Sequence, residues 1–189
     1  MQLRITGGTA RGRILASGKG LATRPTPASV REALTNILRP NLPGAAVLDL
    51  YAGYGAAGLE LLSAGAASCL FVEREHTPVK LLRQNITTLG FDERAEVWAN
   101  SVSAALDQLA QGTRTFDIIF ADPPYGQRLA PKILGRLATL PGLLAAGGLV
   151  VIQHSKQEPL DDAAGHLVQT RIRASGETVL SFYTERLTA

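Results

Sequence analysis

The sequence predicts an α/β fold, a mostly parallel sheet covered on both faces by helices. Three observations carry this. Between residues 45 and 153, five strand-like apolar runs alternate with four segments of helical periodicity. Most of those runs are near-continuous in Val, Ile, Leu and Ala, as strands buried on two faces read. The chain closes with strand-like residues 167–173 and 178–183 around Ser175-Gly176, an antiparallel hairpin that brings the sheet to seven strands.

In chain order, residues 3–6 and 13–16 read as short strands separated by Gly7-Gly8 and Gly12. Arg24-Pro25-Thr26-Pro27 is extended, because a residue before proline avoids the α region. Ser29 with Glu32 three positions on forms a capping box for a helix over 30–38, which puts Val30, Leu34, Ile37 and Leu38 on one face. Pro40 and Pro43 end it. Strands follow at 45–50, 68–72, 95–99, 116–121 and 148–153, with helices at 56–63, 78–89, 102–110 and 129–140. Gly65 and Gly90 stop the first two of these helices. The expected organisation is a basic appendage over residues 1–40 and one α/β domain over 41–189.

At 189 residues, 46% hydrophobic and 19% charged, the chain has enough apolar material for one core. A single cysteine, Cys69, excludes an internal disulfide framework and a Cys-based zinc cluster. His76, His154 and His166 lack metal-ligand spacing, so no metal is expected. The start, Met-Gln-Leu-Arg, has no apolar signal core, and a cytoplasmic monomer is the expectation. Residues 137–155 are free of charge, but Pro141, Gly142, Gly147 and Gly148 interrupt the run, which reads as a helix end, a turn and a buried strand. Charge is unevenly placed. Arg4, Arg11, Arg13, Lys19, Arg24, Arg31 and Arg39 face one acid, Glu32, within residues 1–40, while the remainder is net acidic. That asymmetry suits a polyanionic partner, most simply nucleic acid.

Two loops carry chemistry. Residues 47–58 run strand, Gly-rich turn, helix, with Gly53, Gly55 and Gly58 in the spacing of a nucleotide loop. Glu73 closes the next strand, where it can accept from both hydroxyls of a ribose. Asp49, four residues before Gly53, would repel a pyrophosphate but suits the ammonium of a methionine moiety, directly or through water. This favours S-adenosylmethionine over a nicotinamide dinucleotide. Asn100, after the third strand, has an amide that can both donate and accept, as an adenine edge requires.

The second loop is Asp122-Pro123-Pro124-Tyr125, at the end of the fourth strand. In an open α/β sheet it should face the glycine loop across one cleft. The prolines stiffen the backbone and remove two N–H donors, leaving carbonyls as the local polar groups. A carboxylate beside a carbonyl forms a pair of acceptors for a planar NH₂, and Tyr125 offers a face on which a base can stack. The set reads as a holder for the exocyclic amine of a base. Accepting both N–H bonds lets the nitrogen pyramidalise and frees its lone pair for in-line attack on a sulfonium methyl.

These residues resemble the class I S-adenosylmethionine-dependent methyltransferases, and specifically the bacterial 16S ribosomal RNA guanine-N2 methyltransferases of the guanine 966 type. The likeness runs along essentially the whole chain. It rests on Gly12-Arg13, on Arg24-Pro25-Thr26 with residues 30–34, and on Asp49-Leu50-Tyr51-Ala52-Gly53-Tyr54-Gly55. It also rests on Phe71-Val72-Glu73, on Asp122-Pro123-Pro124-Tyr125 and on the tail at 176–183. The resemblance implies a Rossmann-like fold and a cofactor site of Asp49, Tyr51, Ala52, Gly53, Gly55, Glu73, Asn100, Ser101 and Asp122. It implies Asp122, Pro123, Pro124 and Tyr125 as the catalytic loop, S-adenosylhomocysteine as product, and 16S rRNA of the small subunit as partner. Arg11, Arg13, Arg24 and Arg31 become the candidate RNA grip, although Arg24 or Thr26 could instead close over the cofactor carboxylate. Tyr51, Tyr54, Thr35 and Asn100-Ser101 depart from the family pattern. The Asp-Pro-Pro-Tyr element is shared with DNA amino-methyltransferases and with enzymes that methylate protein amides. Those alternatives, and an RNA-holding module without catalysis, stay open at this point.

Overall fold

The computed structural model describes residues 2–18 and 26–186. After helix α1 (Ala28–Leu38), the chain alternates β1 (Ala46–Leu50), α2 (Ala56–Ser63), β2 (Ser68–Glu73), α3 (His76–Leu89), β3 (Ala95–Ala99), α4 (Val102–Leu109), β4 (Phe116–Ala121), α5 (Leu129–Leu137) and β5 (Leu144–Ser155). Strands β6 (Ala163–Ala164), β7 (Leu167–Ser175) and β8 (Thr178–Glu185) complete it. The strand order is β3-β2-β1-β4-β5-β8-β7-β6, parallel through β5 and antiparallel beyond it. The sheet thus has eight strands where seven were expected, the addition being the two-residue β6.

Strand alternation sorts the core onto two faces. Val47, Phe71, Ile118, Phe120 and Val151 pack with Leu59 and Leu62 of α2 and Leu82 and Ile86 of α3. The same cluster takes in Leu3, Ile5 and Leu15 from the start of the chain and Val30, Leu34 and Leu38 of α1. On the other face, Leu48, Leu70, Ile119 and Ile152 pack with Leu106 and Leu109 of α4 and Ile133 and Leu134 of α5. The N-terminal segment is therefore fastened to the sheet through a shared apolar core, each large side chain contributing about 1.5–3 kcal/mol on burial.

Several sequence expectations need correction. Helix α1 starts at Ala28 with Pro27 as its cap, and no side chain caps it. Pro27, its φ already fixed near the helical value, offers its carbonyl to the N–H groups of Val30 and Arg31. Ser29 lies inside the helix, so the capping box does not form. The first two strands reduce to one bridge, Arg4 to Ile14, because Gly8 and Gly12 curl the chain at φ 75° and 81° between them. Backbone bonds Ile5 N–H to Arg13 O (3.0 Å) and Leu15 N–H to Leu3 O (2.9 Å) still hold the two limbs together. Trp98 lies half-buried on the edge strand β3. The uncharged run 137–155 forms a turn and β5, and no described helix is long and apolar enough to cross a membrane.

Strand order reverses between β1 and β4. The chain leaves β1 toward β2 and β3, then returns to the other side of β1 with β4 and β5. The loops after β1 and β4 must therefore part there and open a crevice, the usual ligand position in such sheets.

Candidate active site

The crevice floor is acidic. Asp49 pairs in register with Phe71 of β2 and Phe120 of β4, so it lies at the centre of the sheet just below the loops. It is buried, and its Oδ2 accepts from Gly58 N–H at 2.9 Å. A Cβ on Gly58 would sit 2.8 Å from both that oxygen and Cys69 Sγ, so a side chain there would prise the helix off the strand. Burial pushes the Asp49 carboxyl up to about 8, against the pull of the Gly58 N–H; the negative Asp122 and Glu73 nearby push the same way as burial.

Glu73 holds the glycine loop from the neighbouring strand. Its Oε2 accepts from Gly53 N–H at 2.8 Å, and its Oε1 accepts from the N–H groups of Arg74 and Glu75. Tyr51 takes a left-handed conformation, φ 61°, which costs a non-glycine residue about 1–2 kcal/mol and turns the chain sharply out of β1. Ala52 N–H then bonds Val72 O at 3.0 Å. Gly53 follows at φ 56°, and the direction its side chain would take is open space. Gly55, at φ 82°, caps α2. Tyr54 turns the other way, into the core, where its hydroxyl has no partner among the described residues, so it neither crowds nor stacks in the crevice.

Asn100 lies next along the crevice rim. Its N–H bonds Glu73 O at 3.1 Å, which ties the ends of β2 and β3, and its Oδ1 accepts from Ser101 N–H, leaving the amide NH₂ outward. Ser101 caps α4, its hydroxyl accepting from Ala104 N–H at 3.2 Å while its own O–H remains free to donate among the described residues.

Asp122 follows directly on β4, its N–H bonding Leu50 O at the end of β1 at 3.3 Å. The Thr26 hydroxyl donates to its Oδ2 at 2.5 Å, a contact across 96 positions. Burial raises the Asp122 carboxyl to about 6, and the Thr26 hydroxyl draws it back down. Neither Asp122 Oδ1 nor the Pro123 carbonyl has a partner among the described residues, so both acceptors remain available. Pro123 is buried and Pro124 exposed. Tyr125 is 44% exposed, yet its hydroxyl accepts from Gln153 Nε2 at 3.1 Å and lies 3.4 Å from Thr178 Oγ1. The ring is thereby fastened at its far end while its surface stays open. Gln153 is buried near the end of β5, and its Oε1 lacks a partner among the described residues.

The four candidate RNA contacts separate. Arg11 is exposed, and no hydrogen bond or ion pair engages its side chain among the described residues. With Arg39 it lines a recess of about 320 Å³ between the N-terminal turn and α1. Arg13 is exposed and donates to Thr88 O at the end of α3 at 2.5 Å. Arg24 lies outside the described residues. Arg31 contradicts expectation. It is 2% exposed, and its guanidinium pairs with Glu60 and donates to Thr26 O and Arg4 O. It faces protein on every side the bonds define, and no phosphate can reach it. Glu60 was missed altogether. The available signal was a lone charge in the apolar helix 56–63, which demands a buried partner.

Glu73 and Asp122, with the Asp49 carboxyl that burial keeps largely protonated between their strands, thus crowd the ends of β1, β2 and β4, and none of the three forms an ion pair among the described residues. Such a floor repels a pyrophosphate and suits a ligand bearing an ammonium and a sulfonium. The open space at Gly53 leaves room beside it. S-adenosylmethionine fits this set.

Sheet order, glycine loop, strand-end acid and Asp-Pro-Pro-Tyr loop together define the class I methyltransferase fold. Residues 3–184 match the family described as Conserved hypothetical protein 95. The chain is 32% identical over 182 residues to Ribosomal RNA small subunit methyltransferase D of Escherichia coli (96% of this chain, 89% of that one). Against the Haemophilus influenzae protein of the same name, identity is 34% over 160 residues (84% and 82%). A solved structure of a hypothetical protein from Thermus thermophilus superposes with a TM-score of 0.82 at 35% identity, covering 95% of this chain and 97% of that one. The chain belongs to the Conserved hypothetical protein 95 family.

Proposed function

We propose that this protein transfers a methyl group from S-adenosylmethionine to the exocyclic N2 of a guanine in 16S rRNA of the small ribosomal subunit, acting as a cytoplasmic monomer. The observation that carries the reading is the pair of acceptors Asp122 Oδ1 and Pro123 O, which have no hydrogen-bond partner among the described residues, beside an acidic crevice whose carboxyl groups form no ion pair among the described residues. Membership of a family whose relatives are named ribosomal RNA methyltransferases supports RNA as the substrate.

In this reading Glu73 accepts from the ribose hydroxyls, Asp49 faces the ammonium, and Asn100 meets the adenine edge. The glycine loop 53–55 passes beneath. Bound S-adenosylmethionine supplies an electrophilic methyl on a sulfonium sulfur. The guanine leaves its stack at a cost of a few kcal/mol, least in an unpaired region, and is received on Tyr125, where stacking returns about 1–3 kcal/mol. Asp122 Oδ1 and the Pro123 carbonyl accept the two N–H bonds of the amine and aim its lone pair. Alignment of this kind is worth about 7–11 kcal/mol. As the new N–C bond forms, the S–CH₃ bond breaks with its electron pair returning to sulfur to leave the neutral thioether S-adenosylhomocysteine, positive charge grows on the guanine nitrogen, and Asp122 stabilises it. The proton leaves after the methyl arrives, to Asp122 or to water. Arg11 and Arg39, at the recess beside α1, and Arg13 supply the electrostatic grip on the RNA backbone.

The test offers purified protein labelled cofactor together with duplex DNA, deproteinised 16S rRNA or 30S particles from cells lacking the enzyme. Label appearing as N2-methylguanine at one nucleotide of the 16S rRNA is the expected result. Label in DNA or in protein amides, with none in RNA, overturns it.

A further inference from the structure

A buried polar line runs from the N-terminal turn to the catalytic carboxylate. It starts at Glu60, 1% exposed in a helix whose eight residues are all buried. Glu60 Oε1 accepts from the N–H groups of Thr6 and Gly7, both at 2.8 Å, and from the Thr6 hydroxyl at 2.5 Å. Its Oε2 faces Arg31 Nε at 3.5 Å. One terminal nitrogen of Arg31 donates to Arg4 O at 2.8 Å, and the other to Thr26 O at 2.6 Å. The Thr26 hydroxyl then donates to Asp122 Oδ2.

Among the described residues, the hydrogen bonds that hold Thr26 are the one its carbonyl accepts from Arg31 and the one its hydroxyl donates to Asp122. Thr26 precedes Pro27, so it stands outside α1, and the helix draws on the Pro27 carbonyl rather than its own. Among the described residues only Arg31 donates to the Thr26 carbonyl. A planar fork can hold Glu60, Arg4 and Thr26 at once in fixed directions, which a single ammonium cannot do. A buried ion pair is weak evidence for stability, since apolar residues of the same volume often serve as well. Orientation is what this one provides.

We infer that Arg31, braced by Glu60, is a positioning residue for methyl transfer: it fixes Thr26 so that the Thr26 hydroxyl occupies one oxygen of Asp122 and presents the other to the substrate amine. The inference rests on the reading of Asp122 as the amine acceptor. The titratable group coupled to Asp122 from the adjacent strand β1 is Asp49, itself an acid, so among the described residues the Thr26 hydroxyl is the group that favours the charged form of Asp122.

The experiment compares the full-length protein with Thr26→Val, Thr26→Ser, Arg31→Lys and Arg31→Met. In each, the ¹³C carboxyl resonance of Asp122 is titrated in the ligand-free protein, and kcat and KM are measured on 30S particles. Thr26→Val and both Arg31 variants should raise the Asp122 midpoint above its value near 6, while Thr26→Ser retains it. In the same three variants kcat should fall at least about tenfold with KM for S-adenosylmethionine unchanged, which is the mark of lost alignment rather than lost binding. An Arg31→Lys protein that folds, melts lower and leaves the Asp122 midpoint where it was overturns the inference and reduces Arg31 to a core brace. If Arg31→Met fails to fold, Arg31→Lys and Thr26→Val decide. Wild-type protein inactive on small-subunit RNA would sink the proposed substrate, and the carboxyl titration would still test the line from Arg31 to Asp122 separately.

Discussion

The loops after β1 and β4 face each other across one crevice, yet they are held in place by opposite means. The β1 loop is fastened from below and from nearby in the chain: Asp49 grips Gly58, nine residues on, and Glu73 grips Gly53, twenty residues back. The β4 loop is fastened from far along the chain. Thr26 reaches Asp122 across 96 positions, and Thr178 reaches Tyr125 across 53. A cofactor loop built from its own strand and helix, with Asn85 of α3 donating to Tyr54 O at 3.0 Å, is complete once β1, α2, β2 and α3 pack. A substrate loop that depends on remote partners is correct only when the N-terminal segment and the last hairpin have docked.

Breaking the β4 loop at its acceptor should have the largest effect. Asp122→Ala removes the charge that stabilises the developing ammonium and should lower kcat by about 10²–10³-fold. Calorimetry with S-adenosylhomocysteine should still show binding, since the β1 loop stands independently. Loss of both together would mean that the two loops are one unit. Below pH of about 6 the wild-type rate should fall as Asp122 takes up a proton and can no longer accept from the amine; a profile that stays flat through that range would place the titrating group elsewhere.

Breaking the β1 loop should reverse the pattern. Glu73→Ala frees Gly53 and removes the ribose acceptor, at about 1.5–3 kcal/mol for hydrogen bonds to a charged group, or roughly 10–150-fold in cofactor Kd. Tyr125→Ala should cost about 1–3 kcal/mol of base stacking, read as a higher KM for 30S particles with cofactor Kd unchanged.

A subtler difference concerns pH and stability. The Asp49 carboxyl stands at about 8 in the fold against 3.8 outside it, so the folded chain binds that proton more tightly. The stabilisation is fully present below the unfolded value and is lost as pH rises through about 8. Ligand-free protein should therefore melt a few degrees lower at about pH 9 than at about pH 6, and Asp49→Asn should flatten that difference. The smallest effect is expected at Arg11, which faces solvent: Arg11→Ala should weaken RNA binding slightly and reduce its salt dependence by about one ion.

Much of the crevice was legible because its signals are local. The glycine spacing at 53–58, the acid four residues before it, the acid closing β2 and the Asp-Pro-Pro-Tyr tetrapeptide each lie within one strand and its following loop, and each falls at the crevice as expected. The misreadings share a different cause. Arg31 looked like a free cation because its partners, Glu60, Arg4 and Thr26, come from separate segments. Ser29 and Glu32 matched a capping box in spacing, but Pro27 had already supplied the helix start.

Read alone, the order of residues settled the α/β alternation, the two chemical loops and the acidic character of their meeting point, since periodicity, turn chemistry and strand ends are short-range properties. Only the folded chain decided which charges face solvent and which are buried, and which distant hydroxyl rests on Asp122. Burial and hydrogen bonding at that range depend on how α1, α2 and the last hairpin pack against the sheet, and packing is a property of surfaces brought together rather than of neighbours along the chain.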